Sequence, residues 1–259
     1  MRKLGQHFLK NKSALWLIAE SLELAPTDAV IEIGPGHGEL TEFLRTANDE
    51  SKMMLIEKDK ELCELLKEKF KSDDRITVVE GDALTTLPTV TQNSQFETSN
   101  FKLVGNIPYY ITGHLFRIIG ELGHKPSRCV FTIQKEVAER ICAVSPRMNR
   151  LAASVQFWAR TRIVRALSAG DFSPPPRVSS AIVVLETTEP AGIGAPNYYA
   201  AVRALFAQPR KTILNNIVGA IGQKGDRVAE KLSAEGIIPN HRPQNLTVDD
   251  IATIAKVFF

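Results

Sequence analysis

The residues whose types and spacing could do chemistry are three glycines, Gly34, Gly36 and Gly38, two carboxylates, Glu57 and Asp82, and the run Asn106–Tyr109 (NIPY). The glycines of IEIGPGHGEL let the backbone pass close to a ligand before turning into a helix N-terminus. Their spacing is G-x-G-x-G, with Glu32 two residues earlier, not the G-x-G-x-x-G of a dinucleotide fingerprint. No phosphate-reading lysine follows, so a P-loop is excluded. Glu57 comes about 20 residues later, where a carboxylate accepts the hydroxyls of a ribose. Asp82, in EGDAL, can accept a hydrogen bond from an adenine amine. Each of these features ends a run that reads as a strand, and together they point to an adenosine-containing cofactor.

The stretch GNIPYYITGH carries a second chemistry. Pro108 cannot donate to a sheet ladder, so the strand before it must end. An exocyclic amine on a base is a poor nucleophile because its lone pair is delocalised into the ring. Two acceptors, the Asn106 side-chain oxygen and the Ile107 carbonyl, can take its two N–H groups and favour a pyramidal nitrogen aimed at an electrophile. Pro108 fixes the direction of that carbonyl, and Tyr109 offers a face on which a flipped base stacks. No strong base is needed, since the nitrogen becomes acidic only after transfer. Catalysis is then positioning plus electrostatics.

The elements that must position these residues alternate. Strands are expected at 29–34, 52–57, 76–82, 101–106 and 128–134, with helices at 11–24, 38–47, 59–70, 112–122 and 135–143. Such alternation implies right-handed crossovers and a mainly parallel sheet. The polar stretch 85–100 reads as loop or short helix. Two further strands, 162–169 and 179–186, have the stiff GDFSPPPRV between them and no helix, as when an open α/β sheet ends in an antiparallel hairpin. A linker at 187–196 then leads to helical segments at 197–207, 210–221, 225–236 and 247–259. The expected organisation is a catalytic α/β domain over 1–188 and a small all-helical domain over 196–259.

The chain of 259 residues is long enough for one α/β domain with a small appendage. No apolar run approaches the roughly 18 residues that span a bilayer, and no apolar segment follows the basic N-terminus as in a secretory signal. Cys63, Cys129 and Cys142 are odd in number and lack a C-x-x-C, which suits reduced thiols in the cytoplasm. The histidines other than His7 have no ligand spacing, so no metal is expected. Residues 1–120 carry 14 Lys and Arg against 18 Asp and Glu, whereas residues 121–259 carry 18 against 11. The basic second half, dense between Lys135 and Arg165, suggests a polyanion partner.

QHFLKN, EIGPGHGEL, IEKD, GDAL, GNIPYYIT, QKEVAERI, FSPPPRVSSAIVVL and PRKTILNN, in that order, closely resemble the rRNA adenine N6,N6-dimethyltransferases of the KsgA type. The resemblance covers essentially the whole chain. It implies an open seven-stranded methyltransferase (Rossmann-like) sheet, a helical C-terminal domain involved in RNA recognition, and S-adenosylmethionine as methyl donor. It also implies cofactor contacts at His7, Leu9, Gly34, Glu57, Asp82 and Asn106, with Phe172 covering the face of the base opposite Tyr109. The implied reaction is dimethylation of two adjacent adenosines near the 3′ end of small-subunit rRNA, in the immature subunit, by a monomer with no membrane or metal partner. Arg147, Arg150, Arg210 and Lys211 are the expected RNA contacts. The chain departs from the family pattern at His7, where Asn is usual, at Pro209, where a basic residue is expected, and in SPRMNRLAASV, which lacks a tyrosine–glycine pair. Rival readings are a large-subunit rRNA methyltransferase of the antibiotic-resistance type, a ribosome assembly factor for which methylation is dispensable, and a nicotinamide-dependent oxidoreductase. The last lacks the glycine spacing.

Overall fold

The computed structural model describes residues 7–48, 50–92, 100–189 and 192–259. The basic residues 1–6, part of the polar stretch 85–100 and part of the linker 187–196 lie outside the described residues. Two compact units are present: the chain up to Ala138 with Arg160–Thr187, and Glu139–Ala159 with Thr188–Phe259.

The first unit is built on a seven-stranded sheet. After β1 (Phe8–Leu9) come β2 (Ala29–Ile33), β3 (Lys52–Glu57), β4 (Ile76–Glu80), β5 (Phe101–Asn106), β6 (Arg128–Gln134), β7 (Ala159–Leu167), β8 (Phe172–Ser173) and β9 (Ser180–Thr187). The main sheet has the order β4-β3-β2-β5-β6-β9-β7, and β1 pairs with β8 separately. The pairs from β4 through β6 are parallel, and β9 lies antiparallel to β6. Every residue of β2 (AVIEI) is buried, as expected of a central parallel strand covered on both faces. Helices α1 (Lys12–Ser21), α2 (Glu39–Ala47), α3 (Lys60–Lys69), α4 (Ala83–Val90) and α5 (Thr112–Glu121) supply the crossovers and cover. Ile18 and Leu22 at the end of α1, with Leu44 of α2, pack on Val30, Leu55, Val104 and Ile182 of the sheet. Asn11 and Asp59 cap α1 and α3 by accepting backbone N–H groups, so both helices begin where a side-chain acceptor is available.

The expected strand 162–169 begins three residues earlier, and β9 sits between it and β6. Helix α6 (Lys135–Ile141) is followed by α7 (Arg150–Gln156), which the sequence reading does not anticipate. Asn149 caps α7 by accepting the Leu151 and Ala152 amides. Ala152, Ala153 and Phe157 then join the core of the second unit with Tyr198, Ile213, Ile217, Ile251 and Ile254. The rings of Phe157 and Tyr198 stack at 4.0 Å, and the Tyr198 hydroxyl donates to the Ala153 carbonyl at 3.0 Å. These contacts tie Glu139–Ala159 to the helical unit, so a single cut at 188 does not describe the observed division. The remaining helices of that unit are α8 (Ala195–Leu205), α9 (Ile213–Ile221), α10 (Gly225–Ala234) and α11 (Val248–Phe258).

Among the described residues the three cysteines form no disulfide, no group of His, Cys, Asp and Glu is placed to hold a metal, and no helix is long and apolar enough to cross a membrane.

Candidate active site

Because β2 to β5 are mutually parallel, their C-terminal ends share one edge, and the sequence-predicted residues meet there. Gly34 follows β2, Glu57 ends β3, Asp82 follows β4 and Asn106 ends β5. A cleft opens at this edge, lined by His7, Phe8, Ile33, Gly34, Gly36, Ile56, Glu57, Lys58, Asp82 and the run from Asn106 to Ile111. Gly34 and Gly36 both have positive φ, at 65° and 60°. A Cβ on Gly36 would also stand 2.7 Å from the Phe8 ring. Close packing by an aromatic and the left-handed backbone therefore both require glycine there.

Glu57 is buried and shares its carboxylate with the loop. Oε1 accepts the amides of Lys58 and Asp59 at 2.8 and 2.9 Å, and Oε2 accepts the Gly36 amide at 3.2 Å. A lone pair remains on Oε2. Asp82 caps α4 through the Leu84 amide and takes Lys58 Nζ on Oδ2 at 2.8 Å. The Lys58 ammonium holds the Asp82 carboxyl below the usual carboxylate range, against the opposing effect of burial, and the Leu84 amide helps. An anionic acceptor is thus secured at that strand end. Behind the loop, Glu32 is enclosed in β2, and burial pushes its carboxyl up to about 8, although the Thr41 hydroxyl donates to it at 2.7 Å.

Asn106 Nδ2 donates to the His7 carbonyl at 2.6 Å. A carbonyl can only accept, so this bond sets the orientation of the amide and turns Oδ1 away from His7. Ile107 is buried, and its amide donates to Thr132 at 3.0 Å. Among the described residues, neither Asn106 Oδ1 nor the Ile107 carbonyl accepts a hydrogen bond. Pro108 has φ −56° and ψ 130° and leads into the 3-10 turn Tyr109–Ile111. The Tyr109 hydroxyl shares a 2.7 Å hydrogen bond with the hydroxyl of Ser180, which is fully buried.

The structure places Phe172, 1% exposed, in the core with Leu15, Ile18 and Leu167, away from the lining of the cleft. The side chain of Leu9, 4% exposed, joins the same core. The cause is the β1–β8 pairing, which sets Leu9 opposite Phe172. His7 and Phe8 reach the cleft instead. The sequence reading overlooks Lys58 and Tyr110 as cleft residues, although Lys58 adjoins Glu57 and Tyr110 lies within the run GNIPYYITGH. Arg147, Arg150, Arg210 and Lys211 lie in the second unit, all exposed, with no carboxylate partner among the described residues.

Over residues 1–259 the chain matches the family described as ribosomal RNA adenine dimethylase. A ribosomal RNA small subunit methyltransferase A from Dehalococcoides mccartyi (strain CBDB1) is 36% identical over 251 residues, covering 95% of this chain and 84% of the relative. One from Caldanaerobacter subterraneus subsp. tengcongensis is 32% identical over 263 residues, covering 100% and 97%. Among solved structures, a dimethyladenosine transferase from Plasmodium falciparum superposes with a TM-score of 0.80 at 25% identity, covering 96% of each chain. The 23S rRNA methyltransferase ErmE gives 0.77 at 26% identity, covering 97% of this chain and 99% of its own.

Proposed function

Since the chain belongs to the ribosomal RNA adenine dimethylase family, we propose that it transfers methyl groups from S-adenosylmethionine to the N6 amines of two adjacent adenosines near the 3′ end of small-subunit rRNA. The product is N6,N6-dimethyladenosine, formed in the cytoplasm on the immature small subunit. One observation carries this reading: among the described residues, Asn106 Oδ1 and the Ile107 carbonyl are two unengaged acceptors at the edge where Glu57 and Asp82 end their strands.

The donor set fits the cofactor. Glu57 Oε2 has a lone pair for a ribose hydroxyl, Asp82 has one for an adenine amine, and Ile33 and Ile56 give an apolar floor. When bound, S-adenosylmethionine supplies an electrophilic methyl group. The protein's part is to orient the nucleophile. Asn106 and Ile107 take the two N–H groups of the amine, which draws the nitrogen lone pair out of conjugation, and Tyr109 stacks on the base. For the second transfer the monomethylated amine keeps one N–H, so one acceptor then stands beside a methyl group. In the second unit, Arg147, Arg150, Arg210 and Lys211 contact RNA phosphates, which accounts for four exposed cations with no carboxylate partner among the described residues.

The test is tritium transfer from labelled S-adenosylmethionine to unmethylated small subunits, compared with large subunits and naked rRNA. Small subunits should be labelled, with N6,N6-dimethyladenosine as the end product by mass spectrometry. Accumulation of monomethyladenosine alone, with cofactor in excess, refutes dimethylation. Preferential labelling of large subunits favours the large-subunit reading.

A further inference from the structure

Helix α1 buries Ala14, Leu15, Ile18 and Ala19, so Lys12, Ser13 and Trp16 share its opposite face. Trp16 sits in an apolar helical pattern, yet it is 38% exposed. Its one ring neighbour among the described residues, Phe43 of α2, meets it edge-on, 6.3 Å between centroids and 63° between planes. A groove runs beside this pair, lined by Phe8, Lys10, Lys12, Leu15, His37 and Phe43. Phe8 also lines the cleft at the strand ends, so groove and cleft share a wall. Of the groove's two acids, Glu42 takes Lys69 Nζ at 2.9 Å, and Glu39 lies 3.8 Å from His37 Nδ1. Lys10 and Lys12 are exposed, with no carboxylate partner among the described residues. Arg165 of β7 reaches the same face of α1, donating to the Ser13 hydroxyl at 3.0 Å.

We propose that Trp16, with Lys10 and Lys12, binds the single-stranded RNA that adjoins the target adenosine: one unpaired base stacks on the indole, and the lysines hold the neighbouring phosphates. This rests on the RNA-methylating reading above. The unpaired lysines select a polyanion. The indole selects its form, because a base offers a stacking face only outside a duplex, whereas a duplex presents phosphates and groove edges. An acidic peptide would satisfy the lysines and leave the indole without a planar partner. The shared Phe8 wall supplies the continuity: a strand whose target base enters the cleft can lay its next nucleotides in the groove without leaving the surface. Glu20, one turn beyond Trp16 and also exposed, closes the strip farther along α1.

The experiment reads Trp16 directly. The chain has two tryptophans, and Trp158 is 1% exposed, so quenching of intrinsic fluorescence by RNA reports on Trp16. The probe is a single-stranded oligoribonucleotide of about ten nucleotides, compared with its duplex. The single strand should quench the wild-type protein saturably and the duplex much less, and Trp16→Phe should lose the quenching. With unmethylated small subunits and tritiated S-adenosylmethionine, Trp16→Ala should lower kcat/KM about tenfold, the scale of one lost stacking face, mainly through KM. Trp16→Phe should restore most of that loss. Lys10→Gln and Lys12→Gln together should reduce the slope of log affinity against log salt by about 1. Thermal melts confirm folding of each variant, and calorimetry should show cofactor affinity kept. Quenching that persists in Trp16→Phe, equal quenching by the duplex, or unchanged kcat/KM in Trp16→Ala would each overturn the proposal while labelled subunits upheld the methyltransferase reading. A wild-type protein that labels no RNA would overturn that reading, and the proposal with it.

Discussion

The Glu57 carboxylate and the Gly36 amide are joined at 3.2 Å, which ties the end of β3 to the loop that follows β2. A residue expected only to read a ribose therefore also holds the glycine loop in place. The same carboxylate accepts the Lys58 and Asp59 amides, so its removal leaves three backbone donors without their acceptor.

Glu57→Ala should weaken S-adenosylmethionine binding by about 1–3 kcal/mol, the scale for a hydrogen bond to a charged group. It should also lower the melting temperature of the free protein, because the loop loses its tether. Calorimetry and thermal melts separate the two effects. Unchanged cofactor affinity in a folded variant removes Glu57 from the binding site.

Glu32 makes stability depend on pH. Burial raises its carboxyl from an ordinary 4.5 to about 8, so the folded protein retains a proton that the unfolded chain has released. Stability from this group is full below about 4.5, falls as pH rises toward about 8, and is level above that. Glu32→Gln keeps the shape without the charge and should flatten this dependence. Urea midpoints from about pH 5 to about pH 9 measure it. An identical slope in the two proteins assigns the pH dependence to other groups.

Asn106→Ala should leave the fold intact and reduce turnover by about 10²-fold or more, as for loss of a preorganised polar contact to a reacting group. Cofactor affinity is measured in parallel, since Asn106 lines the same cleft. Tyr109→Phe keeps the ring but leaves the buried Ser180 hydroxyl without its partner. It should cost about 1 kcal/mol of stability while retaining much of the activity. Tyr109→Ala removes the stacking face and should mainly raise KM for the subunit. Turnover by Asn106→Ala equal to wild type would exclude the amine-orienting role.

Charge reversal at Arg147 and Arg150 together should weaken subunit binding and reduce the slope of log affinity against log salt by about 1–2, with cofactor affinity kept. Arg150 is the first residue of α7, where an acidic side chain is favoured, so the fold should tolerate the change. An unchanged salt slope would mean that both arginines simply face solvent.

The glycine loop, Glu57, Asp82 and Asn106 were legible without the structure. Each sits at the end of its own strand, and a parallel sheet necessarily gathers those ends on one edge. Local pattern thus carries both the elements and the edge where the cleft forms. The contents of that cleft were less legible, because they depend on pairings between distant segments. Whether Phe172 faces a base or the core is decided by its pairing with Leu9. In the same way, α7 joins the helical unit because Ala152 and Phe157 find Tyr198, far along the chain. Such contacts form where they bury the most apolar surface and leave the fewest polar groups unpaired, a balance that is struck over the folded chain and leaves no trace in the periodicity of any one segment.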